Sequence, residues 1–404
     1  MNAGPPGGGR PSLDVFLVAC EGSADALGAG LMRALASAHA GTVSFRGVGG
    51  ARMAQAGLES LYPIEDLVTI GIAAVLAKLP LILGRLRQTV EAIAARPPDV
   101  LILIDAPDFT HRIAARVRRR LPDLPIVKYV SPTVWVWRPG RARAMRSSID
   151  LVLALLPFEP EVHRDLGGPA CVYVGHPLLE HLGDLRPSPA DLLRRGAGPS
   201  LVVALPGSRR HEIERLAGVF GEALGKAAAQ HGPLDVVLPT LPHLIPVLSE
   251  RTAQWPTRPR IVTSEAEKYA AFRSARAALA ASGTVTLELA LAGVPSVAAY
   301  RIPALEGLLL RSMAKFHPLI KARSVILANL VLGEYAIPEF LQRRCTVANV
   351  VPALADILED TPARRRQIEA FGRLDAILDT GGSAPSSRAA EAVIDLLAQR
   401  QPSR

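Results

Sequence analysis

The chain has 404 residues, 49% hydrophobic and 21% charged, so it is long enough for two domains with sizeable cores and is not a disordered polymer. Its net charge of +9 favours anionic partners: nucleic acid, an acidic membrane face or phosphorylated substrates. An aromatic content of only 4% weighs against single-strand binding by base stacking, and three widely spaced cysteines (Cys20, Cys171, Cys345) fit neither a disulfide framework nor a zinc pattern, which suits a reducing cytoplasm.

Residues 1–12, opening "MNAGPPGGGR", read as a frayed tail without the apolar run of a signal peptide. "DVFLVAC" (Asp14 to Cys20) then reads as a strand, followed by a small-residue turn and a helix with Leu27, Leu31 and Leu35 on one face. "TVSFRGVG" is a second strand. "IGIAAVLAKLPLILGRLRQTV" (Ile70 to Val90) is apolar but interrupted by Lys78, Pro80, Arg85 and Arg87, so it predicts no membrane span. It reads either as a core helix pair or as a membrane-surface element. "DVLILID", "PIVKYVSP", "DLVLALLP" and "CVYVG" follow as further strands, apolar enough to be buried on both faces of a parallel sheet.

The pattern breaks at "GDLRPSPADLLRRGAGPS" (Gly183 to Ser200), a candidate linker rich in proline and glycine. "SLVVALPGS", "LDVVLPT", "RIVTS", "AALAAS" and "SVAAYR" then restart the strand–helix alternation. The fold class is therefore α/β: two doubly wound domains, 13–185 and 186–385, facing a cleft, with 386–404 a C-terminal helix expected to return to the first domain. In such sheets ligands bind beyond the carboxyl ends of the strands, so the strand-exit loops are where function is expected.

Five loops stand out. "ACEGSADALGAG" offers small residues for close backbone approach, with Glu21, Ser23 and Asp25 as polar groups; its glycines do not match a dinucleotide fingerprint. "IDAPDF" places Asp105 at the end of a buried strand, where a half-buried carboxylate suits a proton acceptor, while Asp108 reads as a cap or an orienting group. "YVSPTVWVWRPGRARAMR" carries Trp135, Trp137, Arg138, Arg141, Arg143 and Arg146, either a phosphate or anionic-lipid contact or a solvated basic face. "ALPGSRRHEIERL" puts Ser208 and Arg209 at a glycine turn opening a helix, a setting that favours a diphosphate. "AASGTVTLELALAGVPSVAAYR" repeats the arrangement with Ser282, Gly283 and Thr284, and Glu288 one turn along could accept ribose hydroxyls. In "VGHPL", His176 reads equally as a phosphate or sugar donor and as a buried structural histidine. No spacing of histidines predicts a metal site, and neither a P-loop nor a nucleophile elbow is present.

Taken together, "GVGGARM", "IDAPDF", "YVSPTVWVWR", "DLVLALLPFEP", "VGHPL", "LPGSRRHEIERL" and "SGTVTLELALAGVP" resemble the bacterial lipid-A-disaccharide synthase family, in that family's order, from Val15 to Gln342. The resemblance implies a GT-B glycosyltransferase of two Rossmann-like domains, the first serving acceptor and membrane and the second the UDP-sugar. It implies transfer of a sugar from UDP-2,3-diacylglucosamine to 2,3-diacylglucosamine 1-phosphate, giving a β-1,6-linked disaccharide 1-phosphate and UDP. That is a step of lipid A and lipopolysaccharide synthesis at the cytoplasmic face of the inner membrane of Gram-negative bacteria. It implies Asp105 as the essential carboxylate, Arg209 and Asn329 as substrate-binding residues, and Glu288 as the ribose ligand. No cofactor, metal or nucleic acid is expected, and the oligomeric state is not implied. This chain departs from the family with Cys20 and Ala24 in place of glycines in its first loop. Near Asn329 it has Ala328 in place of a proline and Glu334 in place of an arginine. The alternatives are another GT-B enzyme acting on UDP-N-acetylglucosamine, either an epimerase or the peptidoglycan transferase, and a non-catalytic basic membrane-binding protein.

Overall fold

The computed structural model describes residues 12–67, 72–135, 138–301 and 324–400. The tail before Ser12, the start of the Ile70–Val90 stretch and Trp137 lie outside them. Two compact units emerge, one running to Leu179 and resumed from Thr380, the other spanning Glu180–Asp379.

The first unit is a seven-stranded sheet, every pairing parallel, in the order β3-β2-β1-β4-β5-β6-β7. Its strands are β1 (Leu13–Val18), β2 (Val43–Val48), β3 (Glu59–Ser60), β4 (Val100–Ile104), β5 (Ile126–Tyr129), β6 (Leu151–Ala154) and β7 (Ala170–Tyr173). The helices are α1 (Gly22–Ala38), α2 (Ala51–Gln55), α3 (Ile72–Ala95), α4 (Pro107–Arg120), α5 (Gly140–Met145) and α6 (Glu159–Asp165). One face of the sheet packs Val15, Leu17, Ile102 and Ile104 against Leu31, Met32 and Leu35 of α1. The other packs Phe16, Val18, Leu101 and Leu103 against α3 and α4 through Leu86, Val90, Ile93, Ile113 and Val117. Strands buried on both faces have no polar side to alternate, which is why their sequences are continuous apolar runs. The helix Pro385–Arg400 joins the α1 face through Ala389, Ala390 and Val393.

The second unit repeats the theme with six parallel strands in the order β10-β9-β8-β11-β12-β13. They are β8 (Ser200–Leu205), β9 (Leu234–Pro239), β10 (Arg260–Val262), β11 (Ala277–Ala280), β12 (Ser296–Tyr300) and β13 (Glu339–Leu341). Its helices begin with α7 (Leu182–Leu185), α8 (Pro189–Gly196), α9 (Arg210–His231), α10 (Ile245–Thr252), α11 (Glu265–Ser274) and α12 (Val285–Leu291). The stretch expected as a linker is folded. Ser188 and Asp191 form a reciprocal capping box at the start of α8, and the proline at its first position costs a helix nothing there. Arg195 on α8 is buried and donates to the carbonyls of Phe272, Arg273, Ala292 and Gly293 at 2.7–3.2 Å. Among the described residues no helix is long and apolar enough to cross a membrane.

Candidate active site

In each sheet the strand order reverses next to the first strand of its unit, β1 beside β4 and β8 beside β11. Connections leave such neighbours in opposite directions, so a crevice opens at their carboxyl ends. The residues that follow these four strands are those singled out from the sequence: Glu21 and Ser23, Asp105, Ser208 and Arg209, and Ser282 to Thr284.

In the first unit Asp105 leaves β4 in the left-handed region at φ 47°, and Ala106 follows at φ 41°. Val130, at the exit of the adjacent β5, has φ 73°. Such angles cost a non-glycine residue about 1–3 kcal/mol and persist only where surrounding bonds over-determine them. Here the Asp105 amide donates to the Tyr129 carbonyl at 2.9 Å. The Thr110 hydroxyl is shared between the carbonyls of Asp105 (2.8 Å) and Ala106 (3.0 Å). The Lys128 ammonium, fully buried on β5, donates to the Asp105 carbonyl and to the Thr110 oxygen. Among the described residues nothing donates to the half-buried Asp105 carboxylate itself.

Several titratable groups around it are buried. Burial pushes the Cys20 thiol up to about 12 despite the opposing pull of Lys128, so this cysteine stays a neutral thiol. Burial, then the positive charges of Lys128 and Arg141, push the His111 imidazole down to about 3. Burial also holds His176 neutral, at about 4, and its Nδ1 accepts from the Leu178 amide at 3.2 Å, so any hydrogen it donates is on Nε2. Glu21 and Ser23 are exposed and bonded to each other at 2.5 Å. Asp25 is structural. It is buried and accepts from the amides of Gly50, Arg52 and Met53 at 2.7–3.1 Å, which caps α2 from outside. A side chain on Gly50 would come within 2.8 Å of that carboxylate and one on Gly49 within 2.9 Å of Met53, which accounts for the paired glycines of "GVGGARM". Asp108 does not cap α4. It pairs with Arg141 and, at 3.8 Å, with Arg138, so part of the basic cluster is tied down while Arg143 and Arg146 remain exposed.

In the second unit Gly207 supplies the positive φ, 127°, that turns β8 into α9. The helix N-terminus is not left open, contrary to the sequence expectation. The buried Glu212 carboxylate accepts from the amides of Ser208 (2.9 Å) and Arg209 (3.2 Å), and the Tyr300 hydroxyl bonds it at 3.0 Å. Arg209 itself touches Glu212 at 3.3 Å, with more than half of its side chain exposed. The contact open to an anion here is thus the guanidinium and the Ser208 hydroxyl, not those two amides.

Beside it, Gly283 and Thr284 are exposed, and the Ser282 hydroxyl donates to the Val325 carbonyl at 3.2 Å. Glu288 on α12 is half-buried and ion-paired with Lys268 of α11, a partner the sequence did not suggest. Asn329, expected as a substrate-binding residue, ties its own segment together. It is buried, its Nδ2 donates to the Ile337 carbonyl (2.8 Å) and to Ser324 (3.2 Å), and its Oδ1 accepts from the Ile337 amide (2.8 Å). Lys128 was also missed; its only signal is one charge inside an otherwise apolar run.

Solved structures share this architecture. An epimerase described as UDP-GlcNAc 2-epimerase from Neisseria meningitidis bound to UDP-GlcNAc superposes with a TM-score of 0.62 at 9% identity, covering 96% of this chain and 99% of its own. The calicheamicin glycosyltransferase CalG4 gives 0.55 at 17%, covering 97% and 100%. The fold is GT-B. Within that class the family is set by sequence. A model described as lipid-A-disaccharide synthetase matches residues 15–390. Proteins named lipid-A-disaccharide synthase from Rhodopseudomonas palustris (strain HaA2) and Nitrobacter hamburgensis are each 56% identical, covering 95% and 97% of this chain and 96% and 98% of theirs. The chain belongs to the lipid-A-disaccharide synthetase family.

Proposed function

We propose that the chain is an inverting hexosyltransferase that joins UDP-2,3-diacylglucosamine to 2,3-diacylglucosamine 1-phosphate, releasing UDP. The observation that carries the reading is the placement of one unpartnered carboxylate and one exposed guanidinium at the switch points of the two sheets of a lipid-A-disaccharide synthetase family chain. Asp105 accepts the proton of the acceptor 6-hydroxyl as its oxygen bonds the anomeric carbon and the bond to UDP breaks. The electron pair leaves on the diphosphate, where Arg209 and the Ser208 hydroxyl meet the developing charge. Glu288 accepts ribose hydroxyls after exchanging Lys268 for them, with Ser282, Gly283 and Thr284 alongside. Asn329 shapes the 324–337 segment from beneath. Glu21, Ser23 and His176 border the acceptor region of the first unit.

The substrates carry acyl chains, and α3 offers a surface suited to them. Leu79, Leu81 and Leu83 are exposed on it, and Arg112, Arg116 and Arg119 are exposed on the adjoining α4. Leucines with neighbouring guanidinium groups suit peripheral docking on an anionic bilayer, here the cytoplasmic face of the inner membrane. The test is UDP release with the diacylated donor and acceptor, compared with UDP-N-acetylglucosamine. Turnover confined to the diacylated pair supports the reading; equal turnover of the unacylated donor refutes it.

A further inference from the structure

Lys128 is the one Lys, Arg, Asp or Glu among the described residues with no exposed surface at all. A buried ammonium is disfavoured unless it is fully matched. Its hydrogen-bond partners are a main-chain carbonyl and a hydroxyl, both neutral. Burial outweighs the attraction of Asp105 and pushes this lysine down to about 8. A folded value below the ordinary one means the ammonium costs stability at neutral pH, a cost relieved only as pH rises above about 8. A leucine or methionine would fill the same space within the sheet without that cost, so stability does not explain the residue.

Its bonds do. The Asp105 carbonyl that it holds belongs to the first of two consecutive left-handed residues, and the Thr110 oxygen it also holds donates to the carbonyls of both. Donation by Lys128 to that oxygen leaves the Thr110 hydrogen free to point at those carbonyls, which fixes the direction of the network. We propose that Lys128 is a positioning residue for Asp105, clamping the strained Asp105–Ala106 backbone from inside the sheet and setting a positive charge behind the turn that carries the carboxylate. The proposal rests on the reading of Asp105 as the proton acceptor.

The variant Lys128→Met tests it, with the melting temperature and both kinetic constants measured on the same preparation. The expected result is a melting temperature equal to or above the parent's, kcat lower by about tenfold or more, and KM for each substrate within about twofold. A folded variant with kcat within about threefold of the parent overturns the proposal, as does a lower melting temperature with parental kcat per folded molecule. Should Lys128→Met fail to fold, Thr110→Val removes the hydroxyl bridge at constant shape; a kcat loss at steady KM supports the clamp, and parental kcat overturns it. Asp105→Asn separates the two claims. If it retains more than about a tenth of activity, the base assignment falls and the clamp with it. If it is inactive while folded Lys128→Met turns over normally, only the clamp falls.

Discussion

The turns that follow β4 and β8 do the same architectural job by opposite means. After β4 the chain uses aspartate and alanine where glycine would be unstrained, holds them with Thr110 and Lys128, and leaves the carboxylate without a donor. After β8 it uses Gly207 for the positive φ, satisfies the helix amides with Glu212 and leaves a guanidinium partly exposed. One turn is strained around an open carboxylate, the other relaxed around an open guanidinium. A group that must take a proton during the reaction gains from being held in one place. A group that grips a flexible diphosphate needs charge and reach more than rigidity.

The sharpest way to break this contrast is at the charges themselves. Asp105→Asn should lower kcat by about a hundredfold to ten-thousandfold while UDP affinity by calorimetry stays at the parental value. Arg209→Ala should instead raise the UDP dissociation constant by about tenfold to a hundredfold, the value of a charge-assisted bond, with a smaller effect on acceptor KM. If both variants altered the same constant, the division of roles would be lost.

The backbones should respond with opposite signs. Gly207→Ala forces a left-handed alanine and drives its Cβ into Glu212, so it should destabilise by about 1–3 kcal/mol in urea unfolding. Ala106→Gly removes strain at φ 41° against glycine's larger entropy loss, a net gain of up to about 1 kcal/mol, with kcat falling as the turn loosens.

Away from the two turns, the buried titratable groups predict a pH dependence. His111 and His176 have folded values of about 3 and 4, below their unfolded value, so only the unfolded chain takes up their protons as pH falls from 6.5. Their stabilising contribution is present above 6.5 and lost toward 4, and His176→Gln should flatten that slope in a melting series. Glu159, buried and pushed up to about 8, works in the reverse sense and costs stability as pH rises from 4.5 to 8. Glu159→Gln should therefore raise the melting temperature at pH 8 and leave it unchanged below 4.5.

Of the thirteen strands among the described residues, eleven are legible as apolar runs, most clearly those such as β1, β4, β5 and β6 that are buried on both faces. β3, Glu59–Ser60, holds no apolar residue, and β13, Glu339–Leu341, holds only two behind a glutamate, so neither stands out as a run. Helix α8 was hidden by its prolines and glycines, although Ser188-x-x-Asp191 is a capping signature. The loops proposed to form the site were picked out because strand exits concentrate function, and the family resemblance singled out Asp105 and Arg209 within them. What neither source conveyed was partnership across the fold: Glu212 taking the α9 amides, Lys268 on Glu288, Asn329 turned inward and Lys128 beneath Asp105. A carboxylate at the third turn position of α9 was readable as a possible cap, but the other three depend on which elements lie side by side.

Arg195 reaches the last carbonyls of the helix that bears Lys268 and those just past the helix that bears Glu288, binding both tails with one planar group. It works like a bolt through two beams: the spacing of the acid and the amine above is dictated from below. Lengthening or shortening the proline-rich segment around Pro189 should therefore surface as weaker UDP binding at the proposed ribose contact of Glu288, not as looser tethering.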